Sequence, residues 1–448
     1  MAAAATLTGC ASAGHEPPPA PPMSFTMPEA WQSGARAGQL DADLLGFHSD
    51  PELQALIAEA LAHNADLQIA GARLEQAHAA MKAAGGALLP QVGLVGQSGA
   101  ATLPGSNLST TGLAAVASWE IDLWGRLRAE RDASQARFYA AELDARYARE
   151  ALAAGVVRAW LGVAEAAQQL ALARDMLALS ERQLQLTQTG RAVGRDSAQD
   201  VARSEAAAQA YRQQIEVDQQ VLAQRQRALA ILLGRYPSPE AAPGLLPELT
   251  ALPAAGIPSE VLTRRPDVVA AERRFQAAFA DVEAAKRARL PSLQLIGGVA
   301  YVADSVVTLE SAIANPVWAL SGKLLAPIFT GGRIDAQIEA KTGAQQEAMA
   351  QYAKASLTAL GEVEEALASE RALANRADIA AKQVDLLGQA VGYAQVEATV
   401  GKGDQRRVVS QQLSLAAAQA ELLHLKAERL ANRVALHQAL GGRFSASP

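Results

Sequence analysis

"TTGLAAVASWEIDLWGRLRAERDAS", residues 110–134, changes its period partway through. Leu113, Ala115, Ala117, Trp119, Ile121 and Leu123 alternate with Gly112, Ala114, Val116, Ser118, Glu120 and Asp122, the two-residue period of a strand with one apolar face. After Gly125-Arg126 the pattern becomes helical, and no proline follows until Pro237. A helix from Gly125 to Gly190 would run roughly 100 Å at 1.5 Å per residue. A soluble bundle has no need of that length.

The surrounding chain suits long, closely packed helices. Half of the 448 residues are hydrophobic, yet only 4% are aromatic, and alanine supplies much of the apolar count. A net charge of −6 without a concentrated basic stretch points away from nucleic acid. No run approaches the roughly 20 apolar residues of a membrane-spanning helix, so any crossing must use strands. Prolines gather near the N-terminus and between 236 and 258, leaving 105–236 and 328–447 without one. Proline inside a helix costs about 3 kcal/mol, so such windows permit very long helices.

The two halves repeat. "LAHNADLQIAGARLEQAHAAMKAAGGALLPQVGLVG" (61–96) aligns without gaps on "LTRRPDVVAAERRFQAAFADVEAAKRARLPSLQLIG" (262–297). "WGRLRAE" (124–130) matches "GGRIDAQ" (331–337), "AVGRDSAQDVA" (192–202) matches "TVGKGDQRRVV" (399–409), and "LLGR" (232–235) is aligned with "LGGR" (440–443). Each half reads helix, strand, loop, strand, very long helix, turn, helix, a duplicated domain rather than a solenoid. The expected division is 1–30 for a signal remnant and tether, 31–235 and 259–443 for the repeats, 236–258 for a proline-rich linker, and 444–448 for a tail. The long helices carry heptads: Val156, Val163, Leu170, Leu177 and Leu184, partnered by Ala159, Ala166, Ala173, Ser180 and Thr187. The second half offers Val363, Ala377, Val384 and Val391, a seam interrupted by Glu370.

Strands are expected at about 91–99, 112–123, 292–302 and 316–325, near the 9–11 residues of a tilted transmembrane strand. Trp119, Trp124, Tyr301 and Trp318 stand toward strand ends, where aromatic girdles belong. Four strands cannot close a barrel, and open edges in lipid leave backbone groups unsatisfied. Closure needs roughly eight or more strands, so several chains must share one barrel.

"SWEIDLWGRLRAERDAS", the duplication, the two Val-Gly turns and the "LTGC" box at residues 7–10 together resemble the TolC-like outer-membrane factor family, specifically NodT-type efflux lipoproteins. The resemblance implies a fold that is mainly α with a transmembrane β portion. It implies a homotrimer with a twelve-stranded shared barrel and a duplicated coiled-coil periplasmic tunnel. The implied function is the passive outer-membrane duct of a tripartite efflux system. It would dock a periplasmic adaptor (membrane fusion) protein and an inner-membrane pump, usually of the RND type. By the same resemblance Val193-Gly194 and Val400-Gly401 are the adaptor-docking tips, and Asp200 narrows the closed entrance. Asp200 equally suits a helix start, where the dipole favours a carboxylate. The second turn departs from the family: Arg407 stands at the matching position, Ser410 where another aspartate is frequent, and Asp404 lies nearby. A contact between Asp200 and Arg407, in the same or the adjacent chain, is expected to help hold the tips closed, although an exposed pair is worth only about 0–1 kcal/mol and the gate would rest mainly on helix packing.

No metal spacing joins His15, His48, His63, His78, His424 and His437. "GKGDQRR" is not a P-loop and "GLVGQSGA" is not a nucleophile elbow, so neither an enzyme nor a cofactor is implied. The alternatives are a duct for type I secretion or metal efflux, a periplasmic adaptor, or a coiled-coil scaffold. An adaptor needs one hairpin flanked by small β domains, and a scaffold has no use for lipid-facing strands. Small residues before the lone Cys10 resemble a bacterial lipobox, although "MAAAATLTG" lacks a basic region and is short for a signal. The "GHEPPPAPP" that follows is an extended tether suited to a lipid anchor. Mass spectrometry of the membrane-extracted protein, made from a precursor with a complete signal, should show an acylated Cys10 as the first residue. An unmodified Cys10 with its upstream residues intact overturns that reading.

Overall fold

The computed structural model describes residues 25–34, 50–103, 106–238, 244–249, 255–303 and 317–442. Cys10 with its tether, and the tail 444–448, lie outside the described residues. The elements in chain order are α1 (Pro51–His63), α2 (Ala65–Gly86), β1 (Gln91–Leu103), β2 (Ser106–Ile121), α3 (Arg126–Ala192), α4 (Ala198–Leu232), α5 (Pro258–Arg264), α6 (Pro266–Arg287), β3 (Ser292–Ala303), β4 (Val317–Leu325), α7 (Arg333–Thr399) and α8 (Gln405–Ala439).

The duplication holds to the residue. From 65–86 to 266–287 the shift is 201; from 126–192 to 333–399, and from 198–232 to 405–439, it is 207. Glycines of positive φ follow the second shift: Gly125 and Gly332, Gly194 and Gly401, Gly234 and Gly441. The last pair corrects the "LLGR"/"LGGR" alignment by one residue. The helix ends at Leu233 and Leu440, so Gly234 matches Gly441 and Arg235 matches Gly442.

One compact unit, which includes residues 72–144 and 267–355, holds the sheet. Its four strands are antiparallel in the order β1-β2-β3-β4, leaving β1 and β4 as edges. The first hairpin is longer than the sequence suggests, pairing continuously from Gln91↔Ser118 to Leu103↔Ser106. At its other end β2 stops at Ile121 rather than 123, because the Leu123 N–H turns back to the Ile121 carbonyl at 2.9 Å. Register sorts the side chains. Val92, Ala117, Gly297 and Leu320 align across all four strands on one face, as do Leu94, Ala115, Val299 and Trp318. That face is apolar throughout these positions and open, with Leu94 78% and Leu320 83% exposed. Gln91, Ser118, Gln294, Ser321 and Lys323 take the other face. Apolar-out alternation of this kind belongs to a barrel wall in lipid.

The second unit, residues 25–71, 145–266 and 356–448, is helical. Its core joins Leu53 and Ile57 of α1 to Val156, Val157, Trp160 and Leu161 of α3 and to Leu430 and Val434 of α8. The α3 heptad buries Val156, Val163 and Leu170 fully, and its small partners Ala166, Ala173, Ser180 and Thr187 are buried too. Residues 25–34 strap onto this unit. Trp31 Nε1 donates to the Gly256 carbonyl at 3.0 Å, and the Gln32 and Ser33 amides donate to the Glu364 carboxylate at 2.8 and 3.0 Å.

Glu370, the interruption in the α7 heptad, is buried with Arg433. Its Oε1 accepts from Arg429 Nε at 2.8 Å and lies 3.0 Å from Arg433 Nη2. At the matching position of the first half stands Val163. Breaking a buried ion pair from one side costs on the order of 3–5 kcal/mol, because a desolvated charge loses its counterion. Glu370→Ala should therefore lower the thermal unfolding temperature clearly, and Glu370→Val with Arg433→Leu should recover most of the loss. Equal temperatures for parent and Glu370→Ala would contradict this account.

Candidate functional site: the paired helical turns

Both turns are built by the same capping chemistry. At the end of α3 the Arg195 amide donates to the Gly190 carbonyl at 2.8 Å and the Gly194 amide to Arg191 at 3.0 Å. At the end of α7 the Lys402 amide donates to Glu397 at 2.9 Å and the Gly401 amide to Ala398 at 3.3 Å. These are Schellman closures, which place the residue after the helix in the left-handed region and so call for glycine. Gly194 has φ 75° and Gly401 φ 73°. Val193 and Val400, just before them, are 66% and 61% exposed, so each turn presents an apolar knuckle beside its glycine.

Asp200 is bound into its own helix. It is the third residue of α4, where its Oδ2 accepts from the Ser197 amide at 3.0 Å while Ser197 Oγ accepts from the Asp200 amide at 3.1 Å. That capping box, led by the Ser197 hydroxyl bond, holds the Asp200 carboxyl below the ordinary carboxylate range. Arg407 points elsewhere, its Nη1 lying 3.0 Å from Glu397 Oε2. The expected Asp200–Arg407 contact is therefore absent within the chain. Each residue's own turn offers it a nearer partner.

The cross-link between the turns sits one residue away. Arg406 donates from Nη1 to Asp196 of the first turn and from Nε to Asp404 Oδ2 at 2.9 Å. Asp404 also caps α8, accepting from the Arg406 amide at 2.9 Å. The Arg406 hydrogen bond is the main reason the Asp404 carboxyl lies below its usual range, and the same bonds push the guanidinium upward. Asp196 is nearly buried, its side chain 9% exposed, and its carboxylate lies where a Cβ on Gly190 would project. Any larger residue at 190 would expel it. Sequence reading missed Asp196, Arg406 and Gly190. Their only signal was charge of opposite sign in two turns already aligned with each other.

The aromatic residues sort by register. Trp119, Tyr301 and Trp318 share the apolar face, with Trp119 opposite Leu295 and Trp318 opposite Val299. Along β3, residues 295 and 301 stand roughly 20 Å apart at about 3.3 Å per residue. Trp119 Nε1 donates to the Leu88 carbonyl at 2.9 Å. Trp124 lies beyond the strand, donating to the Pro291 carbonyl at 2.8 Å.

A family model described as outer membrane efflux protein matches residues 56–235 and 257–442. The chain is 31% identical over 451 residues to the pyoverdine export outer membrane protein OpmQ of Pseudomonas putida, covering 96% of this chain and 94% of that one. It is 30% identical over 458 residues to the cation efflux system protein CusC of Escherichia coli, covering 98% and 97%. Among solved structures, the open state of the MtrE outer membrane channel of Neisseria gonorrhoeae superposes with a TM-score of 0.84 at 28% identity, covering 95% of this chain and 97% of that one.

The turn geometry makes a distinction that hydrogen exchange can read. Arg406→Ala should speed exchange of the amides at 191–197 and 401–407 together, whereas Arg407→Ala should alter only its own turn. Because the Asp404 carboxyl is depressed, its contribution is present above the ordinary carboxylate value near 4 and is lost as pH falls through the lower folded value. The protection should hold from neutral pH down to about 4 and decline only below that. Identical behaviour of the two alanine variants would remove Arg406 as the link.

Proposed function

Because this chain belongs to the outer membrane efflux protein family, we propose that three copies share one barrel and one helical tunnel, forming the outer-membrane duct of a tripartite pump. The chain is an outer-membrane efflux channel with a periplasmic extension. The observation that carries the trimer is the sheet: a face that is apolar from Ile121 to Leu113 and across the partners of these residues, two edge strands, and strands followed in the chain by 67-residue helices. In this reading Trp119, Tyr301 and Trp318 form the aromatic girdles at the two membrane surfaces, with Trp124 beside the inner one. Acylated Cys10 adds a lipid anchor. The segment 25–34 ties that anchor to the helical unit through Trp31 and Glu364.

The exposed Val193-Gly194 and Val400-Gly401 knuckles receive the periplasmic adaptor, which couples the duct to an inner-membrane pump of the RND type. Asp196, Arg406 and Asp404 hold the paired tips in the resting arrangement, and Asp200 and Arg407 contribute charge at the entrance. OpmQ is named for pyoverdine export and CusC for cation efflux. Relatives of such similar identity serving such different cargo support a passive duct whose selectivity is set by the pump. Light scattering in mild detergent should give three copies per particle. In planar bilayers the parent should conduct weakly and Arg406→Ala more strongly, with Arg407→Ala closer to the parent. A monodisperse monomer that conducts ions would overturn the shared barrel.

A further inference from the structure

The sheet carries almost no charge. Of all the residues in β1, β2, β3 and β4, only Glu120 and Lys323 are acidic or basic. They fall in one register row, Glu120↔Gln294↔Lys323, on the face opposite the apolar one. That row lies near the helical end of the sheet, one residue before β2 stops at Ile121 and two before β4 stops at Leu325. The next row outward on the same face is Gln91, Ser118, Ile296 and Ser321, and the row after it is only glycine, valine and alanine.

The two charges are held differently. Arg126, at the start of α3, lies 2.7 Å from Glu120 Oε1 and 2.7 Å from Glu130 Oε1, so its guanidinium stands between two carboxylates. Lys323 is exposed and forms no ion pair among the described residues. Neighbouring strands stand about 4.8 Å apart, which separates Glu120 from Lys323 by roughly 10 Å of sheet with neutral Gln294 between them. The Debye length at 0.1 M salt is itself about 10 Å, so Glu120, already engaged by Arg126, does little to neutralise Lys323. Duplication did not supply this lysine. The shift of 207 places Val116 at the matching position of β2. A single free ammonium on a wall of small neutral side chains dominates the local field.

We propose that Lys323 is a specificity-determining residue of the duct: its ammonium faces the bore and favours the passage of cargo bearing carboxylate or phosphate groups over cationic cargo. The inference rests on the shared-barrel reading, in which the apolar face meets lipid and the row of Glu120, Gln294 and Lys323 meets water. Three copies then set three ammonium groups at one level, where the wall changes from strand to helix. Lysine suits a duct, because its compact charge rides on a flexible stem and its contacts with oxyanions are brief. Passage requires contacts strong enough to admit a solute and weak enough to release it. The pump decides what enters, and Lys323 sets how readily the anionic part of that cargo leaves.

Reversal potentials in planar bilayers under a potassium chloride gradient at low salt test the assignment on the full chain. The anion-to-cation permeability ratio should fall from the parent to Lys323→Gln, fall further in Lys323→Glu, and be kept by Lys323→Arg. Citrate added on the outer side should reduce the parent current and lose that effect in Lys323→Gln. A purely structural role would give neither the grading by charge nor the rescue by arginine. In membranes a water-soluble thiol reagent should label Lys323→Cys and leave Leu320→Cys, on the apolar face, unlabelled; the reverse pattern overturns the placement. Light scattering of the same preparations keeps the two readings apart. A trimer whose permeability ratio is the same in the parent, Lys323→Gln and Lys323→Glu overturns the role of Lys323 and leaves the shared barrel standing. A monodisperse monomer overturns the shared barrel and this inference with it.

Discussion

A strand edge cannot end in hydrocarbon. Each unpaired amide or carbonyl there forgoes water without gaining a partner, at several kcal/mol per group. The sheet of this chain has a face that is apolar from Ile121 to Leu113 and across the partners of these residues, and two edges within that same zone. The chain is thus half of a statement about its own surface, and the missing half has to be protein. The long helices follow from the same constraint, because strands that form a wall hand that wall on to whatever continues from their ends.

Duplication supplies the wall economically, and the departures from it show where chemistry diverged on a retained frame. Although α5 is shorter than α1, the lengths of α2 and α6, α3 and α7, and α4 and α8 agree to the residue between halves, as do the turn glycines that follow the last two pairs. Charges do not. Val163 answers to Glu370, Asp196 to Gly403 and Asp200 to Arg407. A heptad seam of alanine and leucine tolerates a slip of seven residues with little change in packing. A buried carboxylate that meets two arginines is satisfied in one register alone.

Much of this was legible in the sequence. Period-two alternation through Trp119, proline-free windows and the Val-Gly turns fixed the element types and the position of the turns. The reach of the first hairpin was not legible, since residues 97–111, QSGAATLPGSNLSTT, are mostly small or polar with no clear alternation. Register with a neighbouring strand, not side-chain pattern, extends β1 to Leu103. The doubled glycine at 441–442 left the repeat alignment ambiguous until backbone φ chose Gly441. The Asp196–Arg406 link joins residues 210 positions apart, and nothing in either turn alone distinguishes Arg406 from Arg407. Asp200 illustrates the opposite hazard: a serine three residues before an acidic residue at a helix start is a local motif, and the local motif prevailed.

The two shifts differ by six, and that difference has to enter between the first and second strand of each repeat. Two residues join β1 to β2, whereas residues 304–316 join β3 to β4. β1 and β3 end, and β2 and β4 begin, at the end of the sheet away from the helices, the end that faces outward in an outer-membrane channel with a periplasmic extension. Surface loops absorb insertions at small entropic cost. The extra residues of the second repeat therefore fall where neither the strand registers nor the lengths of the paired long helices have to change.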